Sequence, residues 1–237
     1  MKDLVWDVSV KSLQNIKRFI TPDRGDYNEV IEYLIDNDFY NAPCSSNYHL
    51  CFKSGLILHS TNVLNEAVVN YYKYPFYKDN LNIQSIFISS FFHDLCKINL
   101  YKMKLGRKRL DNGQWVDDLK FEIDETEYPP LGHGEKSLYL INKLIKILPE
   151  EAIAIRWHMG KFDASSTGYI GEKVFGRAFN SDLLKIVLIS DYSISTFTEK
   201  NFGIYMNGGW HYINEEDKFK SLIDLNELKD YYVKNIK

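Results

Sequence analysis

Between Phe87 and Leu95 the chain runs Phe-Ile-Ser-Ser-Phe-Phe-His-Asp-Leu, apolar nearly all round yet with an imidazole and a carboxylate side by side. The pattern from Ile83 to Leu95 predicts a central, buried helix. A carboxylate in such a helix is expensive unless it is paired or bound to a metal. The fold must therefore bring partners to His93 and Asp94 from elsewhere. Asp191 poses the same problem at the end of the apolar run Leu183 to Ser190.

Only six histidines occur, so partners of this kind are few. His59 follows Gly55-Leu56-Ile57-Leu58 on a helical pattern, His133 directly precedes one, and His158 ends one that contains Arg156-Trp157. Each residue alone has a plain reading: a lone buried His is usually a hydrogen-bonded core residue, and Asp191 alone reads as a salt-bridge partner. The set His59, His93, Asp94, His133, His158 and Asp191, spread over separate helices, points instead to metal. Imidazole and carboxylate together suit Mn, Fe, Co, Ni or Zn, with Mg also allowed. A carboxylate has two oxygens and can bridge two ions.

Helical periodicity dominates elsewhere. Tyr27, Val30, Ile31, Leu34 and Ile35 make a one-face pattern over 26–37, and 55–72 and 134–148 are further helices. Pro149-Glu150-Glu151 opens the next, which stops near Gly160, and Ser181-Asp182 caps the run 183–195. One segment breaks the pattern. Asp111-Asn112-Gly113 lies between extended stretches, so 104–123 reads as a β-hairpin inserted between two helices. Asn207-Gly208 turns a second small hairpin, and pairing between the two is left open. With no repeat or low-complexity linker, the expected fold is all-α: one domain over 1–237, with a core at about 44–198, the insert at 104–123 and a C-terminal extension at 199–237.

The formal net charge of −3 excludes polyanion binding by bulk charge. Cys44, Cys51 and Cys96 have no metal-type spacing and read as free thiols of a reducing compartment, although Cys44 and Cys51 would be free to pair in an oxidising one. The first twenty residues lack the apolar stretch of a signal peptide, and no segment approaches the roughly 18 apolar residues of a membrane span. The expectation is a cytoplasmic protein without membrane partners; the oligomeric state is open.

The ordered set of six resembles the HD-domain metal-dependent phosphohydrolases, dinuclear branch. Lys53-Ser54-Gly55-Leu56-Ile57-Leu58-His59-Ser60 is similar to the Gly-Gly-Leu-Leu-Glu-His-Ser segment of HD 3′→5′ exoribonuclease-like and phage or bacterial HD proteins. Phe92-His93-Asp94-Leu95-Cys96-Lys97 is similar to their His-Asp-(two residues)-Lys motif. Leu131-Gly132-His133-Gly134 and Trp157-His158-Met159-Gly160 fit as well. Leu58 stands where the resemblance has Glu, and Ser54 where it has the first Gly. The resemblance covers roughly Cys44 to Ser195 and implies an HD helical bundle. It implies one ion on His59, His93, Asp94 and Asp191 and a second on Asp94, His133 and His158, about 3.5–4 Å apart and sharing a hydroxide that attacks phosphorus.

The implied function is cleavage of a phosphate ester of a nucleotide or short oligonucleotide. Asp94 and Lys97 are the candidate catalytic residues. Lys97, four residues after His93 and so on the same face of a continuous helix, joins Arg156 and Lys161 as candidate phosphate binders. Asp163 reads as structural. Lys97, Lys102, Lys104, Arg107, Lys108 and Arg109 make an acid-free basic run into the hairpin. It is either a solvated face or a lip guiding a single strand to the metals, with Trp115 and Tyr128 available to stack on bases. Two alternatives keep the fold: a dinuclear iron HD oxygenase acting on a small molecule, separable by iron content and oxygen uptake, and a non-catalytic nucleotide-binding module, against which the full ligand set argues.

Overall fold

The computed structural model describes residues 1–126 and 129–237 and is mostly helical. Its helices are α1 (Lys2–Phe19), α2 (Tyr27–Asp36), α3 (Gly55–Lys73), α4 (Pro75–Asn80), α5 (Ile83–Phe91), α6 (His133–Ile141), α7 (Pro149–Trp157), α8 (Gly168–Ala178), α9 (Asp182–Ser193) and α10 (Leu225–Asn235). Four strands, β1 (Tyr101–Arg109), β2 (Trp115–Ile123), β3 (Gly203–Met206) and β4 (Gly209–Tyr212), form two separate antiparallel hairpins. The expected pattern of helices with an inserted hairpin holds, but β1 begins at Tyr101 rather than at 104. The two hairpins do not pair with each other.

Capping residues set several boundaries. The side chains of Asp26, Asn82, Ser181 and Asp224 accept backbone N–H groups at the starts of α2, α5, α9 and α10. Residues 56–64 of α3 are buried without a break, so α3 has no solvent face over its first turns, and α5 is buried all round from Ser85 to Phe91. Helix α3 packs on α1, α5 and α9, α5 also packs on α7 and α9, and α6 packs on α7.

An ion pair buried on both sides, Arg24 with Glu151, ties this assembly together. Glu151 also accepts from Ser85 on α5 (2.7 Å) and from the backbone N–H of Leu148 at the start of α7 (2.9 Å), so no part of its charge is left unmatched. Two helices are shorter than the periodicity predicts. The expected helix over 134–148 ends at Ile141, and α5 ends at Phe91 rather than Leu95, which puts His93 and Asp94 just beyond it. Among the described residues no helix is long and apolar enough to cross a membrane.

Candidate metal centre

The end of α5 follows from local chemistry. Nδ1 of His93 donates to the carbonyl of Ser90 (2.7 Å), one of the last-turn carbonyls that lack a helical partner. His158 does the same one residue past α7, donating from Nδ1 to the carbonyl of Ile155 (2.8 Å). Each ring thereby caps a helix and carries its proton on Nδ1, leaving Nε2 as the free donor atom. A 3₁₀ turn over Leu95–Lys97 follows and carries the chain past Asp94 toward β1.

All six residues picked from the sequence meet in one place. His59 comes from α3 and its Nε2 lies 3.2 Å from Nε2 of His93, 3.4 Å from Oδ2 of Asp94 and 3.3 Å from Oδ1 of Asp191. His133 opens α6 and its Nε2 is 2.6 Å from Oδ1 of Asp94, with Nε2 of His158 3.4 Å from the same oxygen. The Asp94 carboxylate thus stands between two groups: His59 and His93 face Oδ2, and His133 and His158 face Oδ1. The second group depends on close helix packing. A Cβ at Gly134 would lie 2.1 Å from the carbonyl oxygen of Arg156, so only glycine lets α6 settle on α7 here.

Charge balance in the site is set by burial and by these contacts. Burial alone would raise the carboxyl of Asp94, but the neighbouring Lys97, His93 and His133 hold it well below its usual range. Nζ of Lys97 is 2.5 Å from Oδ2 of Asp94, and although burial pulls the ammonium down, Asp94 holds it well above its usual value. Burial likewise pulls His59 and His133 down, but thiol and carboxylate neighbours push His59 well up and His133 to about 10. His158 is lowered, chiefly by burial, and so stays neutral.

The donor set fits divalent metal. Nε2 of His158 is buried and makes no hydrogen bond among the described residues, an orphaned lone pair aimed at Asp94. His59, His93 and Asp94 offer ligand atoms within 4.8 Å of one another, as do His93, His158 and Asp191.

A cavity of about 740 Å³ opens above these groups. Lys97 lines it and is buried, as expected of a site residue, but its place comes from the 3₁₀ turn and not from a continuous helix. Lys161 lines it too. Arg156 does not: its guanidinium is bound to Glu135 and Asp163 and stacks 4.0 Å over the Trp157 ring, away from the cavity lining. Asp163 is its partner and also caps the turn at Ser165, which matches a structural reading. Of β1 and β2, only Tyr101 reaches the cavity. Trp115 sits at the far end of the hairpin opposite Arg109, and Tyr128 lies outside the described residues. The three cysteines are free and buried, so Cys44 and Cys51 do not pair.

Three participants escaped the sequence reading. Oε2 of Glu199 accepts from Nδ1 of His59 at 2.8 Å, with its side chain fully buried. His49 lines the cavity, its ring 5.0 Å from that of His59. Sγ of Cys44, also on the cavity wall, lies 3.4 Å from Nζ of Lys97. Burial opposes ionisation of this thiol, but His59, Lys97 and His49 bring it down to about 6. A single acid, imidazole or thiol in a loop segment is too common in sequence to single out Glu199, His49 or Cys44. Comparison with protein-family models, curated proteins and solved structures returns no match.

Proposed function

We propose that this chain is an HD-type metal-dependent phosphohydrolase of the dinuclear kind, built on a helical bundle with an inserted hairpin, and that it cleaves a phosphate ester of a nucleotide-sized substrate. One observation carries the reading: a single buried carboxylate, Asp94, has two histidines facing each of its oxygens. A structural aspartate needs one cationic partner. Four imidazoles around one carboxylate, with Asp191 beside His59, is the arrangement expected of a bridging ligand between two cations.

His59, His93, Asp94 and Asp191 would hold one ion, and Asp94, His133 and His158 the other. Such ions supply Lewis acidity toward a phosphoryl group and offset the negative charge that grows in its transition state. The chain's own groups do the rest. Lys97 keeps the Asp94 carboxylate ionised and fixes its orientation through the 2.5 Å contact. Glu199 and the carbonyls of Ser90 and Ile155 hold three imidazoles with Nε2 inward. Lys161, at the cavity wall, offers an ammonium to a substrate oxygen.

The test is metal analysis joined to a phosphatase assay. The purified chain is expected to carry close to two transition-metal ions, and Asp94→Ala to lose both together with phosphate release. A full metal complement in Asp94→Ala would remove the bridging role, and with it the dinuclear assignment.

A further inference from the structure

The cavity has two unlike ends. Its floor is the polar centre around Asp94. Its opposite wall is one face of α8: Glu172, Phe175, Gly176 and Phe179 all line the cavity, at the i, i+3, i+4, i+7 spacing that puts residues on one side of a helix. Phe162 and Tyr192 add to that wall. At Gly176, which is exposed, a Cβ would meet nothing within 4 Å, so the middle of this wall carries no side chain and leaves open space. The rings on either side are set in place, with Phe175 packed 5.6 Å from Trp157 and 5.8 Å from Phe179.

The charges on this cavity are few. Its lysines are Lys97, already paired with Asp94, and Lys161, while Glu172 places an acid on the apolar wall. None of Lys102, Lys104, Arg107, Lys108 or Arg109 lines it. A single-strand binder needs a basic groove that tracks successive phosphates. What is present is a polar floor suited to one phosphoryl group and a ring-bearing wall, in a cavity whose whole volume is usual for small-molecule sites, about 300–1,000 Å³.

We infer that α8 is the specificity element and that the substrate is a compact phosphomonoester whose alcohol portion carries an apolar planar ring, seated against the Phe175–Phe179 face of α8 beside Gly176. This rests on the phosphohydrolase reading for the chemistry, but the ring-bearing wall is a binding site in its own right. Aromatic rings stack in offset or edge-on fashion on such walls.

The experiment compares 2-phenylethyl phosphate with ethyl phosphate, whose leaving alcohols have similar acidity, on the full chain loaded with Mn. Binding of 2-phenylethylphosphonate, which has no ester to cleave, is followed by calorimetry on the same samples. The wild-type chain should favour the phenylethyl ester in kcat/KM by about tenfold or more, within the range an apolar pocket supplies. Gly176→Leu, which fills the open space beside these rings, should erase that preference and weaken the phosphonate by a similar factor, with metal content unchanged. Phe179→Ala should weaken the phosphonate too; Phe179 is 45% exposed, so its removal does not open the core.

If neither ester is cleaved but the phosphonate binds and both variants weaken it, the ring site stands and the hydrolase reading falls. Equal phosphonate affinity in all three proteins, or none in the wild type, overturns the ring site. Faster turnover of a 5′-phosphorylated pentanucleotide than of phenylethyl phosphate overturns the compact substrate.

Discussion

Glu199 stands behind His59, on the ring nitrogen that faces away from Asp94. A carboxylate there fixes the tautomer and orientation of the imidazole and strengthens it as a donor. Asn62 holds the other oxygen, Oε1, at 3.5 Å. Glu199→Gln should therefore lower metal affinity by about 10–100-fold, the range found for such supporting groups. Competition with a chromogenic chelator measures this; an unchanged affinity would make Glu199 a packing residue. Proton linkage adds a second expectation. In the metal-free protein His59 is held well above its usual value and His133 is raised from 6.5 to about 10, so both carry protons at neutral pH. The sign follows for a histidine with a raised value: its protonated form stabilises the metal-free fold fully below 6.5, and that contribution is lost as pH rises through about 10. Metal must displace these protons, so binding strengthens as pH rises. The gain in Tm on adding metal should grow between about pH 6 and pH 9. A gain that shrinks over this interval would contradict protonated histidines at the site.

At the scale of elements, the junction before α3 shows a local rule broken. Ser54, the residue before the helix, has φ +69°, a left-handed conformation that glycine adopts freely and other residues do not. Its hydroxyl is buried and makes no hydrogen bond among the described residues. The resemblance in sequence places Gly at this position. Ser54→Gly removes both the backbone strain and the unpaired hydroxyl, set against a greater loss of chain entropy on folding. It should stabilise the fold by about 1 kcal/mol, seen as a rise in Tm of roughly 2–4 °C. A fall in Tm would mean that Ser54 is held by a contact of its own. The same junction shows how far elements could be read from the chain. The ligands were legible because buried carboxylates and clustered imidazoles are costly without partners, and β1–β2 because Asn112-Gly113 admits few other turns. The stop of α5 at Phe91 was not, because a ring N–H folded back on Ser90 makes it, and no propensity records that. Helix α8 was missed because Gly168, Gly171 and Gly176 lower its helical signal. The pairing of Arg156 with Glu135 and Asp163 was not legible because adjacency to His158 does not say which way a guanidinium turns. Glu199 lies 140 residues from His59, beyond any local pattern.

Over the whole molecule, the basic run from Lys97 to Arg109 changes meaning once its surroundings are in place. In sequence it has no acid; in the fold, β2, Asp124 just after it and Glu215 of the C-terminal segment supply them. Lys104 pairs with Glu122 at 2.9 Å, Lys108 with Asp118 at 3.4 Å and with Glu215 at 3.2 Å, and Lys102 with Asp124 at 3.1 Å. Arg107 is in register with Asp117 across the hairpin. These are exposed pairs and contribute little to stability, but they cancel the field that a strand-guiding lip would need. The hairpin is anchored elsewhere: Phe121 is buried and its ring lies 4.7 Å from Phe219 of the C-terminal segment. Together with the Lys108–Glu215 pair, this gives the hairpin a task in binding that segment to the fold. Neutralising Arg107, Lys108 and Arg109 together should therefore leave turnover of a mononucleotide and of a short RNA within about twofold of the parent, and the salt dependence of RNA turnover unchanged. If the hairpin did guide a strand, RNA turnover would fall and its salt slope would flatten by about one unit for each phosphate no longer neutralised, while the mononucleotide stayed unaffected. Measuring both substrates over a salt series separates the two cases, because unfolding would depress both rates together and a weaker hold on the strand would depress only the RNA rate.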